Sequence, residues 1–203
     1  MDVSTIRDIA VEAIAARSSK LDDRLFDNNV TLRLKSELSQ QEMTEVVNVL
    51  RHGSVSEREL AAQLLIEGPI SSQLVIATVG EMYPEEGAST VVDLLATALG
   101  FTRTTAALPL LRQFVSHSSS DVRFVVSTSL SMCSGGEFNS VVEPLLALSH
   151  DSVPEVRWSA VFELCSWFQE AGGDARIDSR LSVLQLNDDE CLHILGPLDL
   201  PPS

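Results

Sequence analysis

Asp121-Val122-Arg123-Phe124-Val125-Val126-Ser127-Thr128-Ser129-Leu130 returns further along the chain as Glu155-Val156-Arg157-Trp158-Ser159-Ala160-Val161-Phe162-Glu163-Leu164. Acid, valine and arginine keep their places, and apolar residues follow at helical spacing. Each copy comes after a leucine-rich stretch, Leu108–Val115 in one case and Val142–Leu148 in the other, separated from it by a short polar run. The unit therefore reads as helix, turn, helix, and a recurring unit decides the architecture of a chain before any single element does.

Working outward from Val122 and Val156, the same register falls on Val91 and, one unit earlier, on Glu57. Val91, Leu95, Ala98 and Leu99 form one helical stripe, and Ala61, Leu64 and Leu65 continue it in the earliest copy. Two departures stand out: Glu57 replaces the valine, and Val92 replaces the arginine. Punctuation fits the scheme. Ser39 with Glu42 and Ser54 with Glu57 have capping-box spacing, while Gly68-Pro69, Tyr83-Pro84, Gly135-Gly136 and Gly172-Gly173 mark ends and turns.

Asp-Val-Arg at 121–123 and Glu-Val-Arg at 155–157, each opening the second helix of a pair, resemble HEAT repeats, with armadillo-type arrays as near relatives. The period set by Val91, Val122 and Val156 is shorter than the ~40–47 usual for that class, so the chain is similar to the compact bacterial HEAT-like proteins. The resemblance implies an all-α fold: a right-handed α-solenoid of about four helix pairs over residues 40–170. An N-terminal helical cap and loop are expected at 1–39, and a C-terminal cap and tail at 171–203. Ile6, Ile9, Ala10, Ala13 and Ile14 supply an inward stripe for the first cap. The stretch Leu181–Leu186 and a short helix at Asp188–Leu195 supply the second. A helix pair cannot bury its stripe alone, so stacked neighbours and capped ends are what such a sequence requires.

Composition limits the function. The chain has 203 residues, 44% apolar and 21% charged, which is ordinary for a folded domain. Its formal charge is −15, which disfavours binding to DNA, RNA or anionic membranes and favours a basic partner. The negative excess is three in residues 1–50, five in 51–100, none in 101–150 and seven in 151–203. No stretch reaches the ~18 apolar residues of a membrane helix, and the N-terminus reads as no targeting segment. Cys133, Cys165 and Cys191 are odd in number and lack CxxC spacing, so reduced thiols and a cytoplasmic location are expected.

Catalytic signatures are missing from the sequence. There is no GxGxxG, GxxxxGK[ST], HExxH or GxSxG. His117 and His150 lie in corresponding turns, but too few further ligands stand near them for a metal site. No enzyme activity, cofactor or metal is therefore expected. The resemblance casts Arg123 and Arg157 as members of a turn ladder with Asp121, Asp151 and Glu155, holding successive units in register.

One position beyond the arginines stand Glu59, Asp93, Phe124 and Trp158; a helical turn further on stand Gln63, Thr97, Thr128 and Phe162. Residues at that spacing share a helical face, and in HEAT-like arrays the second helices line the concave surface. The resemblance thus implies a row that is acidic in two units and aromatic in two, suited to a basic protein segment. The competing reading makes Phe124, Trp158 and Phe162 core beneath the C-terminal cap. For function, a non-catalytic protein-binding module is expected, with an immunity protein for a cationic toxin as its specific form. An adaptor, an assembly chaperone or a HEAT-like bilin lyase subunit is the alternative. A HEAT-like DNA glycosylase is disfavoured by Glu59 and Asp93, which stand where cations are needed.

Overall fold

A computed structural model describes residues 40–68 and 70–171, and every regular element among them is helical. Eight α-helices follow in order: α1 Gln40–His52, α2 Val55–Glu67, α3 Ser72–Met82, α4 Ser89–Phe101, α5 Leu108–Phe114, α6 Ser120–Cys133, α7 Val142–Leu148 and α8 Pro154–Ala171. Single 3₁₀ turns at Tyr83–Glu85, Thr105–Ala107 and Phe138–Ser140 punctuate the connections. The expected caps at 1–39 and 171–203 lie outside the described residues apart from Ala171, which ends α8, and so do Ser39 of the first capping box and the Gly172-Gly173 turn.

Helices pack by parity. Each even-numbered helix lies against the next, α2 on α4, α4 on α6 and α6 on α8, and each odd-numbered helix packs on the even helix that follows it. The apolar stripes meet between them in one continuous cluster running from Met43 to Leu164. Val91, Leu95, Leu99, Val122, Val126, Leu130, Val156, Ala160 and Leu164, the residues of the recurring register, are all fully buried. Tyr83 leans on Phe114 with ring centroids 4.0 Å apart, filling the space between successive odd helices.

Local chemistry accounts for the boundaries. Ser54 caps α2: its Oγ accepts from the Glu57 N–H, and the Glu57 carboxylate accepts from the Ser54 N–H at 2.8 Å. That reciprocal box explains the first departure from the repeat, because Glu57 is the third residue of α2, where a glutamate satisfies an otherwise orphaned donor. After α6 the backbone turns through Gly135 (φ 63°) and Gly136 (φ 83°), a left-handed pair that residues with a Cβ adopt only under strain.

The α4–α6 contact is the most extensive in the row. A Cβ added at Gly100 would lie 2.6 Å from Ser129 Oγ and 3.0 Å from Ser129 Cα. Ser129 Oγ donates to the Ala96 carbonyl at 3.2 Å, and Cys133 Sγ to the Leu99 carbonyl, also at 3.2 Å. Small residues let the helix backbones approach until side chains of α6 reach the carbonyls of α4.

Candidate functional site

Three arginines hold the turns. Arg58 donates through Nη1 to the Gly53 carbonyl, Arg123 to those of His117 and Ser118, and Arg157 to those of Asp151 and Ser152. In each case the guanidinium braces the turn before its own helix. Two of them also reach the following turn in a two-pronged ion pair: Arg58 to Glu86 at 2.8 and 3.1 Å, and Arg123 to Asp151 at 2.5 and 2.9 Å. Both pairs have the same separation in sequence and are largely buried. The Arg123 hydrogen bonds hold the Asp151 carboxyl below its ordinary value, and Asp151 in turn raises the Arg123 guanidinium.

The acids of these turns do a second thing. Glu86 accepts from the Ala88 N–H and Asp151 from the Val153 N–H, each two positions on; His117 Nδ1 accepts from the Ser119 N–H in the same way. Glu86, His117 and Asp151 are therefore one structural position. Where the preceding unit offers an arginine this position is a carboxylate, and where it offers Val92, which is fully buried, the position is an imidazole. Asp151 is the ladder acid that the sequence suggests. Asp121 and Glu155 are not: both are exposed in the first turns of their helices. Glu86 escapes the sequence reading, although its spacing from Arg58 repeats that of Asp151 from Arg123.

The eight residues expected on the inner row separate by exposure. Phe124 and Phe162 are 37% and 43% exposed, and Thr128 is exposed as well. Glu59, Asp93, Thr97 and Trp158 are half-buried, whereas Gln63 is buried. The sequence expects Gln63 on the inner row; in the structure its side chain is buried, at 9% exposure. Trp158 stacks on Phe162 with centroids 5.7 Å apart and planes inclined by 26°. Its Nε1 is buried with no hydrogen-bond acceptor among the described residues.

Polar members of the row are partly engaged, some with neighbouring helices and some within their own. Glu59 accepts from Thr90 Oγ1, and Thr97 Oγ1 donates to the Asp93 carbonyl. Thr128 and Ser131 donate to Glu163, a carboxyl that burial nonetheless pushes up. Asp93 differs from them. Its Oδ1 is buried without a hydrogen-bond partner among the described residues. Burial first, and then the Asp121 carboxylate, raise its pKa from 3.8 to about 6. Asp93 and Asp121 thus set a poorly solvated carboxylate against a second negative charge, and Asp121 stands three residues before the exposed Phe124.

A cleft of about 420 Å³ lies elsewhere, at the turns of the first two helix pairs. Its charged walls are already neutralised: Arg51 pairs with Glu81 and Arg58 with Glu86. Among the described residues no three His, Cys, Asp or Glu side chains gather as metal ligands, and no helix is long and apolar enough to cross a membrane. Comparison of the chain with protein-family models, curated proteins and solved structures finds no match.

Proposed function

We propose that the protein is a non-catalytic binding module: a short right-handed HEAT-like α-solenoid with capped ends, whose second helices present an acidic and aromatic row to a basic protein segment. The observation that carries this reading is the exposure of Phe124 and Phe162 on neighbouring helices of one row, with Trp158 stacked on Phe162, and with Asp121, three residues before Phe124, close enough to Asp93 to raise its pKa. Large rings left in water, next to carboxylates that pair with no cation among the described residues, match a partner that brings both apolar area and positive charge. The recurrence of arginine-to-turn pairs at one fixed spacing supports the HEAT-like assignment. A charge of −15 suits the toxin-neutralising form, in which an acidic immunity protein covers a cationic toxin.

Affinity capture with the immobilised full chain, compared with a Phe124→Ser/Phe162→Ser variant, tests the reading. A basic protein held by the wild type, lost from the variant and released by moderate salt is the expected result. Identical captured sets from both proteins would remove the aromatic row from the function.

A further inference from the structure

The cleft of about 420 Å³ at the turns of the first two helix pairs has the size of a small-molecule site, ~300–1,000 Å³. It is lined at the C-terminal ends of α1 and α3 by two ion pairs of different character. Arg58 and Glu86 are committed: their side chains are 21% and 4% exposed, the guanidinium donates to both Glu86 oxygens and to the Gly53 carbonyl, and Glu86 also accepts from the Ala88 N–H. Arg51 and Glu81 are not. Their side chains are 42% and 57% exposed, and among the described residues they hydrogen-bond only each other. An exposed pair of this kind contributes little to stability and opens at little cost. Opening it frees a guanidinium fork on one side and a carboxylate on the other.

Charge decides what can take their place. Two arginines and two glutamates line the cleft, so a simple anion on Arg51 leaves Glu81 without its cation, and a simple cation on Glu81 leaves Arg51 without its anion. A ligand carrying both signs replaces both partners at once. Helix polarity places the two signs. The last turn of α1 carries Arg51 and His52, whereas the last turn of α3 has no basic residue and holds Glu81. The carbonyl end of α3 therefore favours the cationic group, and the planar fork of Arg51 receives the carboxylate. Of the remaining lining, Leu50 and Met82 are buried and apolar, and a Cβ added at Gly87 would meet no atom within 4 Å. Open space beside apolar residues suits an apolar body.

We propose that this cleft binds a free α-amino acid with an apolar side chain, its carboxylate on Arg51, its ammonium on Glu81 and its side chain in the space at Gly87. The lining belongs to α1, α2, α3 and the turns that follow α1 and α3, not to α6 and α8, so the site stands whether or not the aromatic row binds a partner.

Titration of the full chain with L-leucine, followed through the backbone amides of Leu50, Met82 and Gly87 in ¹H–¹⁵N spectra, tests it. The shifts should saturate by about 10 mM, roughly ten times the ~1 mM dissociation constant expected of so small a ligand. 3-Methylbutylamine and 4-methylpentanoate, which are leucine without its carboxylate and without its ammonium, should each bind at least tenfold more weakly. Arg51→Gln and Glu81→Gln, at exposed positions, should keep the fold and each lower the affinity for L-leucine at least tenfold. Gly87→Leu should fill the cleft and abolish the Leu50 and Met82 shifts; should it disturb the fold instead, the two exposed-pair variants decide. Unshifted amides at about 10 mM L-leucine overturn the proposal. Binding of either half-molecule as tightly as the amino acid also overturns it, as does wild-type affinity in both exposed-pair variants.

Discussion

The Arg123 guanidinium and the Asp151 carboxylate form a two-pronged pair between successive turns, and Arg58 and Glu86 repeat it at the same spacing in sequence. Between these two instances stands a third, in which Val92 and His117 occupy the corresponding positions. An apolar residue takes the place of the cation, and a side chain that accepts the turn N–H without needing a negative charge takes the place of the anion. One joint is thus filled in two ways, by a largely buried ion pair or by a buried valine in one unit and a turn-capping imidazole in the next.

Interchange of the two solutions is testable. Asp151→Ala leaves Arg123 largely buried without its counter-charge and should cost ~3 kcal/mol or more; Arg123→Val alone should be of similar order, because Asp151 is then stranded. The double variant Arg123→Val/Asp151→His reproduces Val92 and His117 and should recover at least half of the summed loss. Urea denaturation of the four proteins provides the cycle. Strictly additive losses would show that the joint is not a coupled unit.

These joints also mark what was legible in the sequence. The Val122 and Val156 register and the helix pairs around it could be read because apolar periodicity records burial directly. Departures could not be explained from a single sequence: Glu57 leaves the pattern to close a capping box, and Val92 leaves it together with His117, which lies in the turn of the next unit. Glu86 was hidden because its turn, Tyr-Pro-Glu-Glu-Gly, shares no residue type with His-Asp-Ser-Val apart from an acid. In the candidate row, periodicity placed eight side chains on one face but could not grade their exposure. Gln63 is buried and Phe124 is not, because burial depends on how neighbouring helices crowd each position, which no single helix encodes.

Asp93 should make stability depend on pH in the direction opposite to a salt-bridged acid. Its pKa is raised from 3.8 to about 6 by burial and by Asp121, so the folded chain binds this proton before the unfolded chain does. The favourable contribution is complete below about pH 4 and is lost as pH rises through about 6. Asp93→Asn removes the charge at nearly constant shape. Its melting temperature should exceed that of the wild type at about pH 7.5, with the gap closing as pH falls toward about 4. Thermal melts of both proteins across that range decide it, and a pH-independent gap would show that Asp93 is well solvated.

Gly100 should resist even the smallest substitution. Alanine improves helix propensity by ~1 kcal/mol relative to glycine, but its Cβ would stand 2.6 Å from Ser129 Oγ and 3.0 Å from Ser129 Cα. Overpacking of this kind costs ~1–3 kcal/mol, and the backbone contact cannot rotate away. Gly100→Ala should therefore be destabilising overall. Adding Ser129→Ala should relieve the contact with Oγ and leave that with Cα, giving partial recovery. A variant as stable as the wild type would mean that α4 and α6 separate without penalty.

Trp158 distinguishes an anchor from a core residue. It is half-buried, stacked on exposed Phe162, and its buried Nε1 lacks an acceptor among the described residues. If the ring serves packing, its donor is a liability: Trp158→Phe should keep the stack, discard the N–H and leave stability unchanged or up to ~1 kcal/mol higher. If a partner supplies the acceptor, the same substitution should weaken binding by roughly fivefold to tenfold, since losing one hydrogen bond costs about 1 kcal/mol or somewhat more. Trp158→Ala should lower affinity further, by about thirtyfold or more for an interface anchor, while its stability cost stays below the ~3–5 kcal/mol of a fully buried tryptophan. Melting curves and titrations against the captured partner, made on both variants, separate the roles. A loss of ~4 kcal/mol in Trp158→Ala, with unchanged affinity in both proteins, would make Trp158 a core residue and leave Phe124 and Phe162 to account for binding alone.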